Sequence, residues 1–174
     1  MLLRHPDSRS APIAIEADAS RPSRGVLALR FTVTGDASAL VLPKPAAQAR
    51  VDDLWKHTCF EAFVRSPSGA SYYELNFAPS SQWAAYRFDS YRAGMRDADD
   101  VAAPRFASTP APMRYQLTAT VGVPLDGPWR VGLAAVIEDK SNGLSYWALA
   151  HPPGRPDFHH HDCFALDLSP ESGS

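Results

Sequence analysis

The stretch Arg114-Tyr115-Gln116-Leu117-Thr118-Ala119-Thr120-Val121-Gly122-Val123 repeats with a period of two. Tyr115, Leu117, Ala119, Val121 and Val123 fall on one side; Arg114, Gln116, Thr118 and Thr120 fall on the other. Successive side chains of an extended chain point to opposite faces, so this is a strand with one face in a core and one in water. Working outward, Gly25–Thr34 follows the same rule, with Leu27, Leu29, Phe31 and Val33 set against Val26, Ala28, Arg30 and Thr32. Trp129–Glu138 is apolar on both sides, which predicts a central strand covered on both faces. Further strands are expected at Pro12–Ala17, Ser38–Leu42, Lys56–Arg65, Ser71–Phe77, Trp83–Phe88, Leu144–Ala150 and Asp162–Leu168.

Turn chemistry separates these runs. Ser66-Pro67-Ser68-Gly69 and Asp139-Lys140-Ser141-Asn142-Gly143 read as hairpin connections, and Asp126-Gly127-Pro128 stops a strand. A helical turn is expected only around Tyr91–Asp99, and Pro104–Pro112, with three prolines, reads as an irregular crossing. About ten short strands predict an all-β protein, an antiparallel β-sandwich of the jelly-roll or immunoglobulin-like kind, with a closed barrel as the alternative. No repeat or domain boundary is visible, so residues 1–168 are expected to form one domain and 169–174 a disordered tail.

The 174 residues suffice for a sizeable core. With 17 basic and 19 acidic residues the formal charge is −2, and no basic stripe or polybasic tail is present, so neither nucleic acid nor an anionic membrane is an expected partner. No apolar run reaches the ~18 residues of a membrane helix. Met1–Asp7 lacks the apolar segment of a secretory signal, and two cysteines, Cys59 and Cys163, suit a reducing compartment. A cytoplasmic location is the resulting expectation.

Chemistry-bearing residues gather in four segments. If Leu54–Arg65 is one strand, Trp55, His57, Cys59 and Glu61 share a face, opposite Thr58, Phe60, Ala62 and Val64. In Ser71–Pro79, Tyr73, Leu75 and Phe77 form the core side, leaving Tyr72, Glu74 and Asn76 on the other. A hairpin between the two strands merges the polar faces into one patch of Trp55, His57, Glu61, Glu74 and Asn76. Carboxylates and an amide suit the hydroxyls of a sugar ring, and an aromatic plate suits its apolar face. The competing structural reading is a strand edge with a packed Trp and an ion-paired Glu. In Ser145–His151, Trp147 and His151 lie four apart on one strand face, and Trp147 is either a second aromatic wall or a core residue.

The fourth segment, Pro152–Cys163, holds His159-His160-His161 between Asp157 and Asp162. His57-Thr58-Cys59 and His161-Asp162-Cys163 are both His-x-Cys, so neighbouring strands would offer His57, Cys59, His161 and Cys163 as a tetrahedral zinc set. The plainer reading is buried thiols and a solvated loop with one anchored histidine. Glu61 and Glu74 alone do not define a glycosidase pair. No nucleophile elbow, P-loop or dinucleotide fingerprint is present, so an enzyme is not expected.

Leu54-Trp55-Lys56-His57-Thr58-Cys59-Phe60-Glu61, Tyr73-Glu74-Leu75-Asn76-Phe77-Ala78-Pro79 and Trp83-Ala84-Ala85-Tyr86 carry a resemblance. It continues through Tyr91-Arg92-Ala93-Gly94-Met95, Ser145-Tyr146-Trp147-Ala148-Leu149-Ala150-His151-Pro152 and Asp157-Phe158-His159, covering roughly residues 50 to 168. The chain resembles bacterial DOMON-like proteins, relatives of DOMON domains and of family 9 carbohydrate-binding modules. That resemblance implies a β-sandwich of ten or eleven strands that binds sugar or haem. It implies Trp55 with Glu61 as one sugar-clamping pair and Trp147 as the second plate. Trp55, His57, Glu61, Glu74, Asn76, Trp147, His151 and His159 then make the expected ligand-binding set, without a cofactor. Haem b held by Met95 and His151 is the alternative, as is a protein-interaction domain, and relatives often hold calcium.

Overall fold

The computed structural model describes residues 1–141 and 143–169. Among these residues are twelve strands in two antiparallel sheets. They are β1 (Leu3–Arg4), β2 (Ile13–Ser23), β3 (Val26–Gly35), β4 (Cys59–Arg65), β5 (Tyr72–Phe77), β6 (Trp83–Phe88), β7 (Arg96–Asp97), β8 (Arg105–Ala111), β9 (Arg114–Gly122), β10 (Trp129–Asp139), β11 (Gly143–Ala148) and β12 (Leu166–Leu168). The back sheet runs β2-β3-β9-β8. The front sheet runs β1-β11-β10-β4-β5-β6-β7, with β12 sharing the β11 edge of β10. The sandwich is therefore open at its edges and not a closed barrel.

The period-two runs form the core as the alternation requires. Leu27, Leu29, Phe31 and Val33 of β3 and Tyr115, Leu117, Ala119 and Val121 of β9 are buried against Phe60, Ala62 and Val64 of β4 and Tyr73, Leu75 and Phe77 of β5. Phe60 stacks on Tyr115 with ring centres 5.7 Å apart and meets Phe31 at 5.2 Å, tying the sheets together. β10 is apolar on both sides because its second face lies under a layer of loops.

Four expectations are corrected. Pro104–Pro112 contains β8, which pairs only with β9 at the sheet edge, where Pro110 can lack an N–H without breaking a ladder. Tyr91–Asp99 holds no helix, since Arg92 (φ 52°) and Gly94 (φ 68°) are left-handed and β7 follows. Ser38–Leu42 is no strand: Asp36 caps a short 3-10 turn, Ala37–Ala39. Leu54–Lys56 is likewise a 3-10 turn, so the strand expected from Lys56 begins only at Cys59. The expected disordered tail lies, beyond Ser169, outside the described residues.

Candidate functional site

The outer face of the front sheet forms the floor of a cavity of about 910 Å³. Register builds that floor. Glu61 of β4 stands beside Asn76 of β5, Phe63 beside Glu74, and Glu74 beside Tyr86 of β6. On the other flank Glu61 faces Ala134 of β10, and Cys59 faces Val136, which faces Tyr146 of β11. Three loops raise the walls, residues 52–55, 92–95 and 155–159.

The loops are pinned by directed contacts. Asp157 accepts hydrogen bonds from Tyr91 Oη, from the Arg92 guanidinium (Nη2 at 2.7 Å) and from the His159 backbone N–H, clamping two loops together. Burial works against the charge of Asp157, but the bonds from Tyr91 and Arg92 prevail and hold its carboxyl below the usual range. Cys163 Sγ donates towards the carbonyls of Ala150 and Asp157, both at 3.2 Å. The Cys163 carbonyl rests on Gly132, where a Cβ would lie only 3.0 Å from it. Tyr86 Oη donates to Asp52 Oδ1 at 2.8 Å, fixing the third loop.

One end of the cavity is aromatic. Tyr72 and Phe88 stack with centres 4.7 Å apart, and His159 lies edge-on to Phe63 and Phe88 at 5.2 and 5.1 Å. Tyr72 Oη accepts the Arg92 N–H at 3.2 Å and so has its proton free for His159 Nδ1 at 2.8 Å. Burial, aided by the Arg92 charge, lowers the His159 pKa to about 4, so the ring is neutral at pH 7. With Nδ1 accepting, the ring proton sits on Nε2, 3.7 Å from Glu74 Oε2.

The floor itself is short of donors. Glu61 is 3% exposed and its Oε1 has no hydrogen-bond partner. Asn76, fully buried, donates Nδ2 to Glu74 Oε1 at 2.9 Å while its Oδ1 is also unpartnered. Burial and then the neighbouring Glu74 push the Glu61 carboxyl well above its ordinary pKa. Burial raises Glu74 too, offset in part by Asn76 and Arg92. The pair therefore holds a proton well above the usual carboxylate range.

The structure brings together Trp55, Glu61, Glu74 and His159 at the cavity, with Asn76 bonded beneath Glu74. Trp55 arrives on the 3-10 turn after left-handed Asp53 (φ 62°), not by strand alternation, and is 45% exposed at the rim. His57 leaves the patch, because ahead of the strand its Nδ1 turns to Glu138 Oε2 at 2.8 Å. Trp147 is a correction: it pairs across from Ala135, lies in the core between the sheets at 6% exposure, and gives Nε1 to Ser145 Oγ. Its neighbour Tyr146 lines the cavity instead.

His151 sits outside the lining, its Nε2 2.8 Å from the Leu3 carbonyl, whereas Met95 is exposed at the cavity mouth, so the two do not meet across one slot. The zinc set is not assembled. Cys163 lies at Gly132, opposite Phe63, while Cys59 is opposite Val136, four residues and about 13 Å along the strand. Among the described residues the only His/Cys/Asp/Glu group close enough to share an ion is His160, His161 and Asp162.

Sequence reasoning passed over Tyr86, Phe88, Arg92, Asp157 and Phe158 as site residues. Tyr86 and Phe88 were accessible to it, since a short turn after Phe77 carries the same alternation into the next strand. The loop residues carry no periodic signal.

No protein-family model and no curated protein matches this sequence. The structure is similar to that of a Bacteroides uniformis protein assigned as carbohydrate-binding (TM-score 0.63, 15% identity, 90% of this chain and 78% of that one). It is also similar to a family 9 carbohydrate-binding module from Caldicellulosiruptor kristjanssonii, solved with glucose (TM-score 0.56, 11% identity, 96% and 81% covered) and with cellotriose (0.55, 12%, 93% and 77%). At these identities the likeness is one of fold: the chain is a β-sandwich of the kind seen in family 9 carbohydrate-binding modules.

Proposed function

We propose that this protein is a non-catalytic binding module for a carbohydrate or similar polar small molecule, held in the cavity on the front sheet. The observation that carries this is the floor of Glu61 and Glu74, the latter held from beneath by Asn76, beside aromatic walls, in a pre-formed cavity large enough for one or two sugar rings. The carboxyls match ring hydroxyls, and Trp55 at the mouth offers an aromatic face. The sugar complexes of the fold neighbours support the class of ligand. The DOMON-like assignment belongs to this reading and rests on the sequence motifs. Isothermal calorimetry against a panel of monosaccharides and short glycans tests it. At least one sugar is expected to give heat at millimolar concentration, weakened severalfold in Trp55→Ala, the ~1 kcal/mol worth of an aromatic contact. No heat from any sugar overturns the proposal.

A further inference from the structure

The cavity floor is more demanding than a neutral sugar requires. Glu61 Oε1 and Asn76 Oδ1 are buried acceptors without donors, side by side in the β4–β5 register, and Glu74 flanks them. A buried acceptor left unpaired costs free energy unless something supplies the missing hydrogen. Two of the three arginines lining the cavity are committed, Arg92 to Asp157 at 2.7 Å and Arg96 to Asp89 at 2.8 Å, while the third, Arg155, is exposed. Asp52 and Asp97 add further negative charge to the lining, whereas Asp53 is paired with Lys56 at 2.6 Å. Tyr86, Phe88 and Phe158 line the cavity beside this acidic floor, and aromatic faces attract cations. Glu61, Glu74 and His159 are not among the side chains close enough to share a metal ion. A compact cation that brings its own hydrogen-bond donors matches this combination.

We propose that the floor formed by Glu61 and Glu74 is a subsite for a protonated primary amine, so that the preferred ligand is an amino sugar. The inference rests on the carbohydrate reading for the rest of the ligand. An ammonium has three N–H donors, enough for Glu61 and Glu74 together. Its charge replaces the proton that the buried carboxyl pair otherwise retains.

Calorimetry with the full chain tests this using D-glucosamine, D-glucose, N-acetyl-D-glucosamine and cyclohexylamine. Glucosamine is expected to bind tenfold to a hundredfold more tightly than glucose or its N-acetyl derivative, the worth of a charge-assisted hydrogen bond. Glu61→Gln and Glu74→Gln are each expected to weaken glucosamine binding more than glucose binding, bringing the two affinities together. Equal affinity for glucosamine and glucose overturns the amine subsite and leaves the sugar reading intact. Binding of cyclohexylamine with no sugar bound sustains the amine subsite and overturns the sugar reading. Heat from none of the four overturns the amine subsite. If a variant fails to fold, the comparison of ligands on the unaltered chain decides.

Discussion

Glu61 occupies a position that stability alone would not select. Its carboxyl is buried with an unpaired oxygen, and burial with the neighbouring Glu74 raises its pKa. The unfolded chain releases this proton near pH 4.3, while the folded chain keeps it to higher pH, so stability is lost as pH rises through that interval. Glu61→Gln should therefore raise the melting temperature at pH 7 by about 2–4 °C, roughly 1 kcal/mol, with the gain vanishing near pH 4. Thermal melts of both proteins across pH check it. His159 has the opposite sign. Burial first, then Arg92, keep it unprotonated down to about pH 4, whereas the unfolded ring binds a proton near 6.5. Acidification from about 6.5 to 4 should destabilise the fold through this ring, and His159→Phe should flatten that slope in a pH series of urea midpoints. The two tryptophans divide by location. Trp147→Ala should cost about 3–5 kcal/mol in denaturant titrations. Trp55→Ala at the rim should change stability by less than about 0.5 kcal/mol.

At the scale of elements, the loops over the front sheet are held by polar clasps and by a second apolar cluster in which Leu54, Phe158 and Phe164 pack with Phe63, Ala134 and Val136. Asp157 joins Tyr91 and Arg92 to its own loop through charge-assisted hydrogen bonds. Asp157→Ala should accelerate amide exchange at Arg92 and His159 by at least about tenfold, with β4 and β5 unchanged; hydrogen exchange read residue by residue distinguishes these. The strands were legible because half-burial imposes period two: β3, β5, β6 and β9 emerge close to the bounds their alternation implies. β8 was not legible, because an edge strand that is almost wholly exposed needs no apolar face and tolerates its prolines. For β11 alternation leaves the inward face open. Tyr146 and Trp147 are adjacent aromatics, and only the pairing Ala135↔Trp147 decides which enters the core. A one-residue shift of register would exchange them.

For the molecule as a whole, the core draws side chains from both sheets, so the two sheets should unfold together. Urea titrations followed by tryptophan fluorescence and by far-ultraviolet circular dichroism are expected to coincide; separated transitions would refute a single cooperative unit. The sequence by itself determined the sandwich class and the paired outward faces of Cys59–Arg65 and Tyr72–Phe77. Alternation is a local property, enforced residue by residue by burial of one face. Tertiary structure alone decided which loops close over those faces: His57 leaves, Trp147 turns inward, and Arg92, Asp157 and His159 arrive from distant segments. Loops have no repeat to read, because their conformations follow from single long-range contacts that exist only once the chain has folded.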